Sequence, residues 1–103
     1  MSNIFNIAKE FSKRPCGRYK EHGNYSAERL REIILEKLNS SNDVLTIDVS
    51  GLSMFSSAFI NECFGGMIRL NLISKSDLNN RIVFVPKENN FIIDRIKETI
   101  NEY

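Results

Sequence analysis

Residues 44–69, VLTIDVSGLSMFSSAFINECFGGMIR, contain a strand, a short loop and a helix that opens on two serines. Val44, Leu45, Ile47 and Val49 make a nearly continuous β-favouring run, the pattern of a strand covered on both faces. Asp48, Ser50 and Gly51 end it. After Leu52-Ser53-Met54, the order Phe55-Ser56-Ser57-Ala58-Phe59-Ile60 predicts a helix start, with Ser56 as N-cap, Phe55 one residue outside and Ile60 placed to close a hydrophobic staple. Ser57 falls in the first turn. Unpaired N–H groups and the positive end of the macrodipole favour a phosphate on either serine there, or an anion bound beside them. The plain reading is a cap worth about 1 kcal/mol; the sharper one is a regulatory or anion site.

The helix from Ser57 onward, reaching about residue 72, leaves little room for a polar face. Phe59, Ile60, Cys63, Phe64, Met67, Ile68 and Leu70 imply burial on more than one side, or burial on one side and a partner on another. Gly65-Gly66 costs such a helix about 1 kcal/mol per glycine relative to alanine, so close approach of another backbone or of a ligand is the expected compensation. Glu62 and Arg69, about two turns apart, are its polar exceptions. They read either as an ion pair with some neighbour or, more sharply, with Glu62 anchoring the upstream basic loop through Arg14 or Arg18.

That loop is SKRPCGRYKEHG, residues 12–23, where Lys13, Arg14, Arg18 and Lys20 face only Glu21. Pro15, Gly17 and Gly23 mark it as irregular. Arginines suit bidentate contacts with phosphate or carboxylate, and Tyr19 can stack on a base or a peptide group. The loop reads as an anion or partner-docking element, or as a solvated one whose arginines pair with Glu28 or Glu62. His22 has no second ligand at metal spacing and reads as a surface histidine. Arg14 and Arg18 flank Cys16, but a chain with one histidine and no Cys-His-Asp order supplies no base for a nucleophile.

The flanking segments build the layers. Residues 4–11 read as a first strand with Phe5, Ile7 and Phe11 on one face and Ile4 and Ala8 on the other. Residues 25–38 read as a helix capped by Ser26, with a Tyr25–Leu30 staple and an apolar stripe of Leu30, Ile33, Ile34 and Leu38; Glu28, Arg31, Glu32, Glu36 and Lys37 lie off it as a charged outer face. Residues 39–42, NSSN, make a turn. SKSDLNN reads as a second turn, residues 81–86 as another strand, and residues 88–103 as an amphipathic helix with Phe91, Ile92, Ile96 and Ile100 inward. Alternating strands and helices argue for α/β layering.

With 103 residues, 42% of them hydrophobic, and seven phenylalanines, the chain can form one domain around a single core. A formal net charge of +1 argues against a general polyanion binder, and no nucleic acid is expected. No apolar run of about 20 residues appears, and MSNIFNIAKEF lacks a signal peptide's apolar core, so a cytoplasmic protein away from the membrane is expected. Cys16 and Cys63 differ too much in setting for a disulfide framework and are expected as thiols. No metal or other cofactor is expected.

A hydrophobic strand ending in Asp48-x-Ser50-Gly51, a short apolar loop and a Ser56-Ser57 pair opening an apolar helix resemble the STAS domain of anti-sigma-factor antagonists and sulphate transporters. Three further motifs bring the chain closer to the STAS-like family of bacterial proteins of unknown function: Arg14-Pro15-x-Gly17-Arg18-Tyr19; Tyr25-Ser26-Ala27-Glu28-Arg29-Leu30-Arg31; and Phe64-Gly65-Gly66-Met67-Ile68-Arg69. The resemblance covers residues 4–91. It implies a single α/β STAS-like domain over residues 1–103, a small mixed sheet with helices packed against it. It also implies a regulatory module that binds a protein partner, in the antagonists an ATP-binding serine kinase that is also an anti-sigma factor. The phosphorylated residue there is the first serine of Asp-Ser-Ser-Gly, which falls on Ser56; Phe55 and Ala58 stand in place of the acid and the glycine.

Three classes of function follow. The first is a non-enzymatic docking module with Ser56 or Ser57 as phosphorylation candidates. The second is a small anion or nucleotide-binding module that uses the serine pair with Arg14, Arg18, Tyr19, Glu62 and Arg69. The third, an enzyme, ranks last for want of an acid–base pair or metal constellation, so no catalytic residue is assigned. Self-association stays open.

Overall fold

Period-two alternation governs the strands. In the computed structural model, which describes residues 3–87 and 90–103, β1 (Asn3–Asn6), β2 (Leu45–Asp48) and β3 (Ile82–Val85) lie side by side in that order. Both pairings are parallel, with Phe5 opposite Ile47 and Ile47 opposite Phe84, so the expected mixed sheet is wholly parallel among the described residues. Phe5, Leu45, Ile47 and Ile82 face the core. The alternate row, Ile4, Thr46 and Val83, faces outward, with Ile4 55% and Val83 39% exposed. The expectation of a central strand covered on both faces is therefore corrected. Thr46 and Asp48 interrupt the apolar run at every second residue, and that period marks a half-buried strand.

Helices fill the other layer. α1 is a single turn, Ile7–Glu10, where the sequence had suggested that the first strand continues; Asn6 ends β1 by accepting a hydrogen bond from Lys9 N at 2.8 Å. α2 is Ala27–Asn39, capped by Ser26, whose hydroxyl accepts from Arg29 N at 3.2 Å. α3 is a continuous run, 57–69, made of an α-turn Ser57–Ile60, a π-helical stretch Asn61–Gly65 and a last α-turn Gly66–Arg69. It stops short of the expected residue 72, leaving Leu70 and Leu72 exposed. The π-helical stretch packs against α2 and against the last helix.

α4, Lys75–Arg81, occupies the stretch read as the turn SKSDLNN. Ser74 caps it by accepting from Asp77 N at 3.0 Å, and a short helix fits where only its Leu78 needs burial. Arg81 then donates to the carbonyls of Leu38, Ser41 and Asp43 and ties this corner to the α2–β2 turn. α5, Phe91–Asn101, is capped by Asn90; its expected start at Glu88 lies outside the described residues. Phe91, expected inward, is 76% exposed beneath the Arg95 guanidinium, and Ile93 takes the inward place beside Ile96 and Ile100. Among the described residues no helix is long and apolar enough to cross a membrane.

Candidate functional site

Two loops, one after α1 and one after β2, present between them most of the chemistry singled out in the sequence. After β2, Ser50 N donates to Asp48 Oδ1 at 2.9 Å and Gly51 turns the chain at φ +87°. The Ser50 side chain, and then its backbone N–H, hold the Asp48 carboxyl below its ordinary pKa. The chain then reaches Ser56, whose hydroxyl accepts from Phe59 N at 3.2 Å, as a cap should. Phe55 packs its ring against Phe59, centroids 5.0 Å apart. Both serines are exposed.

The loop after α1 is irregular but well tied. Ala27 N donates to Gly17 O, Glu28 N to Arg18 O and Cys16 N to Tyr25 O, while Lys20 N donates to Glu28 Oε1. Gly17 has φ +90°, and a Cβ there would stand 2.9 Å from that of His22, so glycine is required on both counts. Ser53 reaches across from the other loop, its N–H donating to Lys13 O at 2.9 Å.

Behind the loops lies an ionic cluster in which Glu62 and Arg31 are buried and Arg69 is exposed. Glu62 Oε2 accepts from Arg31 Nη1 at 3.0 Å and from Arg69 Nη2 at 2.9 Å, and Arg31 Nη1 also donates to the Glu62 carbonyl at 2.8 Å. Glu62 thus has an ion pair, as expected, but with Arg31 and Arg69. Neither Arg14 nor Arg18 reaches it, and Glu28 binds a backbone N–H. Arg31 was expected on the charged outer face of α2; it is buried, being on the inward row of Ala27, Ile34 and Leu38, where its carboxylate partner and backbone carbonyl offset desolvation.

The Gly65-Gly66 pair explains the fit. A Cβ on Gly66 would stand 2.5 Å from Arg31 Nη1, and one on Gly65 2.6 Å from the ring of Tyr103. Close approach was expected from a backbone or a ligand; it comes from two side chains. The Tyr103 hydroxyl donates to Asn61 Oδ1 at 2.8 Å and accepts from Arg69 Nη1 at 3.3 Å. Burial works against the Arg69 charge, but the Tyr103 hydroxyl and the Glu62 carboxylate outweigh it and hold its pKa above the ordinary value. Burial pushes the Cys63 thiol well above its usual range, a structural rather than a reactive cysteine. Cys16 and Cys63 are both free.

Where the loops meet this cluster there is an open depression of about 550 Å³, lined by Arg18, Tyr19, Ser57, Ala58, Asn61, Glu62 and Arg69. Five of the seven residues expected at a site are brought together there; Arg14 and Ser56 are not in its lining. Arg95, from α5, donates to Ser57 Oγ at 3.0 Å. A larger depression of about 640 Å³ runs between β3 and α5, but it mixes Lys87 and Lys97 with Asp94 and holds none of the expected residues. Asn61, Arg31, Arg95 and Tyr103 were missed from the sequence. Only Arg31 left a signal, its spacing of four from Ala27 and three from Ile34. Among the described residues no three His, Cys, Asp or Glu side chains gather as a metal site.

The fold and the serine helix start define a STAS-like α/β domain. The chain belongs to the family described as STAS-like domain of unknown function (DUF4325), whose model matches residues 26–90. The Arg14 to Tyr19 motif lies outside that matched stretch. No curated protein and no solved structure matches the chain.

Proposed function

We propose that this domain is a non-enzymatic regulatory module that docks to a protein partner, in the manner of the anti-sigma-factor antagonists that its helix start resembles, with phosphorylation at Ser56 or Ser57 as the switch. The supporting observation is the contrast along one segment. Met54, Ser56, Ser57 and Ala58 are exposed, while Phe59 and Ile60, immediately after, are buried. A partner such as an ATP-binding serine kinase would cover this small, partly apolar surface. Roughly two negative charges added there would oppose docking through desolvation and repulsion. A cytoplasmic setting accompanies this reading.

The test is recovery of the tagged protein from its own host, with mass spectrometry of bound proteins and of Ser56 and Ser57. A kinase-like partner that Ser56→Asp or Ser57→Asp releases would support the switch. A partner retained by both variants would place docking elsewhere.

A second reading, a small-anion module, is favoured by the depression that gathers Arg18, Ser57 and Arg69. Recovery of no partner, together with a ligand-induced rise in melting temperature, would move the conclusion there.

A further inference from the structure

Resting on the second reading above, that an anion fills the depression between the basic loop and α3, we propose that the anion is a phosphate monoester, gripped by Arg18, Ser57 and Asn61 and neutralised with the help of Arg69. The charge balance is the first ground. Arg18 and Arg69 line the depression and Arg31 stands directly behind it, against the single carboxylate of Glu62. Those three guanidiniums and Glu62 leave an excess of two positive charges, to which Arg95, on Ser57 Oγ, adds from the rim; a carboxylate would halve the excess of two. A phosphate monoester, at about −1.5 to −2 near neutral pH, would cancel it.

The donors are the second ground. Among the described residues the Arg18 guanidinium makes no hydrogen bond or ion pair, and it lines the depression, where its N–H groups suit a forked contact. Ser57 Oγ already accepts from Arg95, which leaves its hydroxyl hydrogen to donate. The Asn61 carbonyl is taken by Tyr103, which leaves its amide NH2 to donate. Glu62, the one group that would repel an anion, is engaged by two guanidiniums. These donors match the three acceptor oxygens of a monoester. The ties of the 16–20 loop to the start of α2 fix the Arg18 backbone before any ligand arrives, so the order left to impose on binding is that of its side chain.

The experiment uses the full chain in calorimetric titration and thermal melting at constant ionic strength. The probes are O-phospho-L-serine, a phosphoserine peptide, AMP and inorganic phosphate, with glutamate as the carboxylate control. The monoesters are expected to raise the melting temperature saturably and to bind about tenfold or more tightly than glutamate. Arg18→Gln is expected to weaken them by about tenfold or more, the loss of a charged hydrogen-bonding partner. Arg14→Gln, outside the depression, is expected to leave binding unchanged. A phosphopeptide that binds above the others would assign the phosphate to a protein partner, and AMP above the others would assign it to a nucleotide; either supports the site.

Equal binding of glutamate and the monoesters would overturn the phosphate assignment while leaving an anion site in place. No response to any anion would overturn both. Equal weakening by Arg14→Gln and Arg18→Gln would show a diffuse basic loop in place of this depression.

Discussion

Two helix starts in this chain are written almost alike and serve different ends. Tyr25-Ser26-Ala27 opens α2 and Phe55-Ser56-Ser57 opens α3; each serine accepts the N–H three residues on, at 3.2 Å in both. Ser26 is completely buried, roofed by the 16–18 loop that bonds to Tyr25, Ala27 and Glu28, and Tyr25 packs edge-on against Phe11. Ser56 and its neighbour Ser57 stand in solvent. One local device thus closes the fold in one place and leaves its hydroxyls in solvent in the other. Capping chemistry is common to both, so it is the cover laid over a cap that decides whether the cap is structural or available.

The sharpest way to break the comparison is to cut the bond between the two helices. Glu62→Ala removes the α3 partner of a buried Arg31 and leaves its charge unpaired; a loss of about 3–5 kcal/mol is expected, read as a fall in the urea midpoint with unchanged slope. Next comes the pair of caps. Ser26→Ala, which removes a fully buried hydroxyl from beneath the 16–18 loop, is expected to cost about 1–2 kcal/mol, and Ser56→Ala, whose hydroxyl is exposed, about 0.5–1 kcal/mol; equal costs would refute the role given to the cover. Ser57→Ala should change stability by less than about 0.5 kcal/mol, since its Oγ bonds only an Arg95 at the surface, while still weakening the phosphate-monoester response. The smallest effect is that of pH at the strand end feeding the exposed start. Because Ser50 holds the Asp48 carboxyl below its unfolded value, its contribution is fully present above about pH 4 and lost as pH falls through the folded value. Asp48→Asn should flatten that part of the acid melting profile.

Much of the fold was legible. The strand at residues 45–48, both serine caps and the helices after them follow from short-range patterns of period two or 3.6 and from capping preferences, and these act within a few residues. The misread segments are those where a local signal was weak or double. SKSDLNN carries turn residues, yet Ser74 caps a helix with them. Residues 7–10 continue a strand-like pattern, yet Asn6 turns the chain into a helix. For the site, Arg18, Tyr19, Ser57, Glu62 and Arg69 were legible by type and by order. Arg14 and Ser56 were equally eligible, and only position excluded them from the depression.

By itself, the sequence determined the α/β alternation, the two caps and the residues rich in hydrogen-bonding chemistry, because these depend on neighbours three or four positions away. The tertiary structure alone decided that Glu62 binds Arg31, 31 positions distant, that Gly65 and Gly66 make room for Tyr103 and Arg31, and that Arg18 faces Ser57 across one depression. Those choices belong to packing: which long side chain fills a gap, and which charge is offset when both are taken out of water, depends on surfaces that meet only once the layers have closed.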